Sequence, residues 1–271
     1  MKKLKIKVNL NEFNPRKTFF CGQCFRWTEE ECGVFSGIVR KKLITVRENG
    51  DFAEISGFTE SEAREYFDLD ADYAGYIKRL SADKTLCEAC RRSAGIRILR
   101  QEPFETLISF IISQNNNIPR ISGIIARLCE GFGERIDGGF AFPTAESLRG
   151  ITAGELAPLR AGFRARYIAD AVEKVNGGAV DFDEINALST DEARQKLKLI
   201  TGVGDKVADC VLLFAFHKTD AFPKDVWVKR LMERFYPNGL PECTKGVEGV
   251  AQQYLFDYVR NNNGLEEGVK L

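Results

Sequence analysis

The pattern of apolar and polar residues divides the chain into a strand-rich N-terminal part and a helical remainder. Residues 3–56 contain short runs, such as 4–8, 34–39 and 43–47, in which apolar and polar residues alternate. Alternation with a period of two predicts half-buried β-strands, so we predict strands throughout this region. Asn49-Gly50-Asp51 separates two of the runs and predicts a hairpin turn. The N-terminal part should therefore be a small antiparallel sheet.

From residue 59 onward the apolar residues recur at helical spacing. Thr59 and Glu62 fit a capping box, and Pro103 suits the first turn of a buried helix. Short helices are predicted over residues 144–148 and 152–156, and a last amphipathic helix over residues 246–259. We predict an α+β fold, with a sheet domain and flanking helices in residues 1–95 and a helical body in residues 96–271.

Charge and hydropathy limit the partners of the chain. Its 271 residues carry 39 Lys and Arg against 39 Asp and Glu, so any nucleic-acid contact must be a local arrangement of cations and backbone amides. The N-terminus has no signal-peptide pattern, and no apolar run is long enough to span a bilayer. We expect a monomeric cytoplasmic protein, associated with the nucleoid if bacterial, that does not act on membranes.

The eight cysteines are scattered along the chain, which is typical of reduced intracellular thiols. Two C-x-x-C pairs, Cys21/Cys24 and Cys87/Cys90, could in principle form a zinc site. Zinc knuckles are usually rich in turns, whereas Cys24 precedes a strand-like run and Cys87/Cys90 lie in a helix-like one. We therefore expect no metal site.

The segment from residue 190 to residue 227 predicts a helix, a tight glycine turn, and a second helix. Gly202 and Gly204 break the helical pattern, since glycine alone adopts positive φ at little cost. The turn Gly202-Val203-Gly204 would expose successive backbone N–H groups at a helix N-terminus, an arrangement that suits a phosphate. An ordinary helix–helix turn is the alternative.

Lys206 and Asp225 give this segment its candidate chemistry. Lys206 opens the second helix, and the neutral amine of a lysine is a nucleophile that can form a Schiff base. Asp225 follows Pro223 and should be the N-cap of the next helix. The alternatives are a solvated surface lysine and a purely structural cap. His217, the only histidine, ends the apolar helix in this prediction and is no candidate catalyst.

The segment resembles the helix–hairpin–helix and Gly/Pro–Asp signature of base-excision DNA glycosylases. Four further motifs make the chain similar to the 8-oxoguanine DNA glycosylase/AP lyase family: G-Q-C-F-R-W at 22–27, S-Q-N-N-N-I-P-R at 113–120, G-F-R-A-R-Y at 162–167 and the pattern G-x-A-Q-x-x-L-F at 249–256. The resemblance implies a bifunctional enzyme that excises 8-oxoguanine from duplex DNA, preferably opposite cytosine, and then cleaves the abasic strand. It also implies that double-stranded DNA is the partner and that no cofactor is needed.

Residue roles follow from the same resemblance. Lys206 would be the nucleophile and Asp225 the carboxylate that stabilises the developing positive charge. The base pocket would contain Gly22, Cys210, Gln252 and Phe256. The base opposite the lesion, and the gap that the flipped lesion leaves in the duplex, would be contacted by Asn115, Asn116, Arg120, Phe163 and Arg164. The DNA backbone would be contacted by Gly202, Val203, Gly204 and Trp227.

The chain departs from the family pattern at Gln114, where a serine is expected, and at Phe163 and Trp227, where eukaryotic members carry tyrosine and histidine. Phe163 could equally be a core residue. Related glycosylases hold an iron–sulfur cluster on four closely spaced C-terminal cysteines, but only Cys243 lies near that end, so no cluster is expected. The alternatives are a glycosylase for another damaged or mispaired base, a non-enzymatic helix–hairpin–helix DNA-binding protein, and a zinc protein.

Overall fold

A computed structural model describes residues 6–261 of the chain. The N-terminal part is a five-stranded antiparallel sheet with the strand order β1-β5-β4-β3-β2. The strands are β1 Ile6–Asn9, β2 Trp27–Glu31, β3 Val34–Val39, β4 Lys42–Asn49 and β5 Phe52–Ser56. Asn49 pairs with Phe52, so the predicted hairpin turn is confirmed with Gly50 and Asp51 as its two loop residues. Leu4 and Lys5 of the predicted first strand lie outside the described residues.

The prediction of strands throughout residues 3–56 is wrong at one place, because helix α1 (Pro15–Phe20) lies between β1 and β2. Asn14 caps this helix by accepting a hydrogen bond from the Lys17 amide, and Pro15 occupies its first turn. The helix buries Phe19, whose ring stacks on Trp27 at 3.9 Å between centroids. This stack belongs to the aromatic core that covers one face of the sheet.

The rest of the described chain is mostly helical. Its helices are α2 Glu60–Tyr66, α3 Tyr73–Leu80, α4 Lys84–Arg92, α5 Pro103–Ser113, α6 Ile118–Phe132, α7 Arg164–Asn176, α8 Phe182–Ala187, α9 Thr190–Leu197, α10 Asp205–Phe214, α11 Val226–Phe235 and α12 Glu248–Asn261. The predicted capping box of Thr59 and Glu62 is present at the start of α2. None of the described helices is long and apolar enough to cross a membrane.

Some elements were not predicted. A two-stranded hairpin of β6 (Arg135–Ile136) and β7 (Gly139–Phe140) follows α6, and helix α8 precedes α9. The short 3₁₀ turn Glu146–Leu148 falls within a predicted helix, whereas Ala157–Leu159 follows the other predicted helix rather than coinciding with it.

One large apolar core unites the helical body, and it includes residues of α3 and α4 as well as those of α5 to α12. Helix α10 packs against α5 and α9, and α12 packs against α4 and α11. The packing of α5 and α9 against α10 therefore brings distant parts of the chain together near residue 206. The division into domains at residue 95 stays a prediction.

Candidate active site

The helix–turn–helix around residue 202 is formed by α9 and α10. Gly202 has φ +82°, and a Cβ atom there would lie 2.4 Å from Cδ2 of the Tyr167 ring. Glycine is therefore required at this position, both by the backbone conformation and by the close approach of α7. Gly204 is different: its backbone is extended, with φ −98° and ψ −177°, and it is the N-cap of α10. The expectation of positive φ is thus wrong for Gly204.

The turn offers fewer free amides than its sequence predicts. The Val203 N–H donates to the Ile200 carbonyl at 3.0 Å, so three successive open amides do not occur. Within the described residues, no acceptor is found for the N–H groups of Gly202 and Gly204. Asp170 accepts from the Thr201 N–H at 2.7 Å and fixes the entry to the turn. A phosphate could be bound by the two glycine amides that remain open.

Lys206 is the second residue of α10 and is half-buried. Its Nζ lies 3.4 Å from Ser113 Oγ and 5.0 Å from the centroid of the Phe110 ring. Both neighbours belong to α5, which packs against α10. No salt bridge joins Lys206 to a carboxylate within residues 6–261. The amine is therefore positioned by a hydroxyl and an aromatic face.

Asp225 is the N-cap of α11, as predicted. Its Oδ1 accepts a hydrogen bond from the Val228 N–H at 2.8 Å. Asp225 and Lys206 together border two spaces: a small cavity and a larger groove. Among the described residues, no other one borders both. The lysine and the aspartate thus occupy the junction between the two spaces.

The small cavity has a volume of about 40 Å³. It brings together all four residues of the base pocket named from the sequence. The complete lining consists of Cys21, Gly22, Phe110, Lys206, Cys210, Phe214, Pro223, Asp225, Gln252, Gln253 and Phe256. Cys21, Phe110, Phe214 and Gln253 were missed from the sequence, because their positions depend on how the helices pack.

The loop that carries Gly22 is held rigidly by its neighbour Gln23, which is fully buried. Gln23 Nε2 donates to the carbonyls of Thr18 at 2.9 Å and Arg97 at 2.8 Å. Its Oε1 accepts from the Leu99 N–H at 2.9 Å. Gly22 itself has φ +83°, and a Cβ atom would lie 3.4 Å from the Phe256 ring. The Gly22 backbone is thus fixed against the aromatic side of the cavity.

The two thiols of the cavity are neutral. Burial raises the pKa of Cys210 to about 11 and that of Cys21 to about 12. A neutral, polarizable sulfur is suited to contact with the face of an aromatic ring. Cys210 therefore offers a soft surface across the cavity from Phe256.

The open groove has a volume of about 460 Å³. Its lining consists of Ser113, Gln114, Asn115, Asn116, Gly204, Lys206, Val207, Lys224, Asp225, Val226, Trp227 and Lys229. The cations of Lys224 and Lys229 suit a phosphate backbone, and sequence reasoning missed both. Trp227 is 40% exposed and Val226 is 62% exposed, so apolar surface lies beside these cations.

The asparagine run between α5 and α6 is anchored by two of its members. Asn116 Nδ2 donates to the Ile112 carbonyl at 3.1 Å, and Asn117 caps α6 by accepting from the Arg120 N–H. Asn115 is exposed and has φ +47°, a left-handed conformation that asparagine tolerates better than most residues. The side chain of Arg120 is also exposed, with no hydrogen-bond partner in the described part of the chain.

Arg164 differs from the expectation of an open DNA-reading side chain. It is 3% exposed, and its guanidinium donates to the carbonyls of Gln114, Asn115 and Ala161. Burial lowers its pKa, and the charge of Arg120 adds to this effect. In this structure Arg164 therefore holds the asparagine loop in place.

Phe163 is 45% exposed, so the alternative of a core residue is wrong. Its ring meets Tyr167 edge to face at 5.7 Å, and the Arg164 guanidinium lies 4.4 Å from its centroid. These contacts support an aromatic side chain that projects from the surface.

His217 borders neither the cavity nor the groove, and of the C-x-x-C cysteines in the described residues only Cys21 borders the cavity. Within residues 6–261, no three His, Cys, Asp or Glu side chains are grouped as metal ligands. Cys21, Cys24 and Cys90 are buried, while Cys87 is exposed. His217 lies beyond the end of α10 rather than ending it, with Nε2 2.8 Å from Asp68 Oδ2.

Comparison with known proteins assigns the family. Residues 5–107 match the model of the 8-oxoguanine DNA glycosylase N-terminal domain, and residues 108–246 match that of the HhH-GPD superfamily of base-excision DNA repair proteins. The chain is 33% identical to an N-glycosylase/DNA lyase of Saccharomyces cerevisiae over 86% of this chain and 70% of the relative. It is 31% identical to a probable N-glycosylase/DNA lyase of Methanothermobacter thermautotrophicus, over 77% and 75% of the two chains.

A solved structure agrees with these relatives. The 8-oxoguanine glycosylase/lyase of Clostridium acetobutylicum, in complex with double-stranded DNA that contains cytosine opposite 8-oxoguanine, superposes with a TM-score of 0.89. It is 38% identical, and the match covers 97% of both chains. The junction of cavity and groove at Lys206 and Asp225 thus lies in a chain that belongs to the 8-oxoguanine DNA glycosylase family of the HhH-GPD superfamily.

Proposed function

We propose that this chain is a bifunctional DNA glycosylase that excises 8-oxoguanine from duplex DNA, preferably opposite cytosine, and cleaves the abasic strand by β-elimination. One observation carries the proposal: of the residues that the structure describes, only Lys206 and Asp225 border both the small cavity and the groove. A nucleotide whose base enters the cavity while its strand follows the groove has its sugar at this junction. The C1′ atom then lies beside the nucleophile.

The chemistry is covalent. The neutral amine of Lys206 attacks C1′, the N-glycosidic bond breaks, and the base leaves with the bonding electron pair and is then protonated. The C1′–O4′ bond of this adduct then breaks, which opens the sugar ring and leaves a protonated Schiff base between Nζ and C1′ and a free hydroxyl at C4′. Removal of a proton from C2′ then expels the 3′ phosphate, which cleaves the strand. Every step uses groups of the protein, the substrate and water, so no cofactor is required.

Asp225 acts through its charge. Positive charge develops at the sugar as the glycosidic bond breaks, and a carboxylate at the junction stabilises it. The hydrogen bond from the Val228 N–H fixes the carboxyl group at the start of α11, so little reorganisation is needed during the reaction. The Phe110 ring and Ser113 hydroxyl hold the lysine on the opposite side.

Selection of the damaged base depends on Gly22. Guanine presents an acceptor at N7, whereas 8-oxoguanine presents an N7–H donor. The Gly22 carbonyl, on a loop fixed by Gln23, would accept from the damaged base and repel the normal one. Such a change is worth about 1–3 kcal/mol. Gln252 would read the Watson–Crick edge, and Cys210 and Phe256 would contact the two faces of the ring.

The remaining residues would bind the duplex. The Gly202 and Gly204 amides and Trp227 would contact phosphates, while Asn116 and Phe163 would fill the gap left by the flipped base. Asn115 and Arg120 would contact the cytosine, with Arg164 supporting the loop between them. Removing a base from the stack costs a few kcal/mol, which these contacts offset. The enzyme would act as a monomer, in the cytoplasm, on double-stranded DNA that contains oxidised guanine. Residues 1–95 and 96–271 would be its two domains.

The test is borohydride trapping on a duplex with one 8-oxoguanine opposite cytosine, using the wild type, Lys206→Gln and Lys78→Gln. Lys78 is an exposed lysine of α3, so its substitution removes the same charge away from the groove. We expect a covalent adduct with the wild type and Lys78→Gln, and none with Lys206→Gln or on undamaged DNA.

Other outcomes identify the alternatives. Base release without any adduct, surviving in Lys206→Gln, would indicate a monofunctional glycosylase. DNA binding without release would indicate a non-enzymatic helix–hairpin–helix protein.

A further inference from the structure

Two adjacent glutamines of α12 line the small cavity. Gln252 is 4% exposed and Gln253 is 3% exposed, and both border the cavity beside Lys206 and Asp225. Consecutive residues of a helix point about 100° apart, because the helix has 3.6 residues per turn. Two neighbours reach the same cavity only because their long side chains converge there.

One hydrogen bond joins the two side chains: Gln253 Nε2 donates to Gln252 Oε1 at 3.0 Å. A side-chain amide carries its acceptor and its donors at opposite ends of one planar group. The bond therefore sets the orientation of the Gln252 amide, with Oε1 next to Gln253 and Nε2 on the far side. A second lone pair of Gln252 Oε1 remains for another donor.

Gln253 also has an acceptor that is not used. Its Oε1 is buried and lacks a hydrogen-bond partner in the described part of the chain. Proteins satisfy nearly all of their buried polar side-chain atoms, so an unsatisfied one in a cavity indicates a ligand with a donor. The ligand of this cavity, in the function proposed above, is a flipped purine.

The two amides offer a donor and two acceptors that complement the groups on the edge of guanine. Guanine presents the O6 acceptor, the N1–H donor and the N2 amine in sequence along its Watson–Crick edge. The paired glutamines present the Gln252 Nε2 donor, the Gln252 Oε1 acceptor and the Gln253 Oε1 acceptor. Adenine, with an amine at C6 and an acceptor at N1, would oppose the first two groups.

We propose that Gln253 is a second base-reading residue: its Oε1 accepts a hydrogen bond from the N2 amine of the flipped base, and its Nε2 holds Gln252 in the reading orientation. This inference rests on the proposed function and deepens it. It assigns recognition of the exocyclic amine, which separates guanine-type lesions from hypoxanthine-type lesions, to Gln253, a residue to which the family resemblance gave no role.

The test compares single-turnover release of 8-oxoguanine and 8-oxohypoxanthine opposite cytosine. The second base keeps O6, N1–H and N7–H but lacks the N2 amine. We expect the wild type to release 8-oxoguanine about tenfold faster, the effect of one hydrogen bond. Gln253→Met, similar in length but without an amide, should bring this ratio close to one. The same substitution at Gln195, an exposed residue of α9, should leave the wild-type ratio unchanged.

Two outcomes would overturn the proposal: a wild-type ratio near one, or a wild-type ratio retained in Gln253→Met. The wild-type comparison needs no variant, so a ratio near one overturns the proposal even if Gln253→Met does not fold. Absence of release of either base by the wild type would instead count against the proposed function, which keeps the two failures distinct.

Discussion

The amine of Lys206 lies 5.0 Å from the centroid of the Phe110 ring. Phe110 is 3% exposed and stacks on Phe214 with 5.4 Å between centroids. A rigid aromatic face thus limits the positions that the candidate nucleophile can take. Because Phe110 and Phe214 also line the cavity, the position of the lysine is coupled to the wall of the base pocket.

We expect Phe110→Leu to slow Schiff-base formation about fivefold, because the amine loses the ring that holds it. Duplex binding should change little, since Phe110 does not line the groove. The trapping rate and a binding titration measure the two effects. Phe104→Leu, in the same helix but outside the cavity, is the matched control and should leave the trapping rate unchanged. Equal rates for both variants would contradict the positioning role.

Asp225→Asn should separate catalysis from stability. Asparagine is as good an N-cap as aspartate, so α11 should keep its cap and the unfolding free energy should change by less than about 1 kcal/mol. The charge at the sugar is lost, and base release should fall by about 100-fold or more. Asp225→Ala should lose activity and also about 1 kcal/mol of stability. Thermal unfolding and single-turnover release measure the two quantities, and an active Asp225→Asn enzyme would exclude the electrostatic role.

Gly202→Ala and Gly204→Ala should differ strongly. At Gly202 a methyl group would meet the Tyr167 ring in a left-handed backbone conformation, which should cost about 2 kcal/mol or more. At Gly204 the backbone is extended and no atom lies within 4 Å of the added Cβ, so the change should stay below about 1 kcal/mol. Urea denaturation of both variants checks the difference, and equal midpoints would refute it.

Arg164 and Arg120 should affect opposite-base selection differently. Arg164→Lys removes donors from the carbonyls of Gln114 and Asn115, so release should slow by a similar factor whichever base lies opposite the lesion. Arg120→Lys, at an exposed and unpaired guanidinium, should mainly reduce the preference for cytosine, by roughly tenfold. The measurement is release opposite each of the four bases. If Arg164→Lys slowed release only when cytosine lies opposite the lesion, Arg164 would instead contact the opposite base directly.

Acid should destabilise the fold through Asp68, which is 3% exposed. Burial opposes its charge, but contacts with His217 and Arg100 prevail and lower the pKa below 3.8. A lowered folded-state pKa contributes stability above 3.8, and this contribution is lost as the pH falls through the lowered value.

Asp68→Asn should therefore cost about 3 kcal/mol near neutral pH, and its stability should depend less on pH below 3.8 than that of the wild type. Asp137→Asn, at an exposed turn between β6 and β7, is the control and should retain the acid dependence. Unfolding free energies measured between neutral pH and acid decide the point.

Local signals in the sequence predicted much of this structure. The capping box at Thr59, the N-cap at Asp225 and the turn at Gly50 each depend on a few consecutive residues. The break at the asparagine run also follows from local chemistry, since Asn117 caps the next helix. Even the missed helix α1 has a local signal, Asn14 followed by Pro15.

Other features depend on how distant elements pack. Phe110 and Gln253 lie 143 positions apart yet line one cavity, because α5 and α12 both pack around α10 and its neighbours. The carbonyl contacts of Arg164 likewise join residues about 50 positions apart. No periodicity or motif within a single segment contains this information.

The small cavity of about 40 Å³ has room for only a few water molecules, since one water needs roughly 10–15 Å³ of such space. A purine cannot enter until its wall, including the Phe256 ring against Gly22, has moved apart. An enzyme with this pocket would travel along undamaged DNA without capturing the guanines it passes. The enzyme would then spend little time at each normal base, which matters because damaged guanines are rare among the normal guanines of a genome.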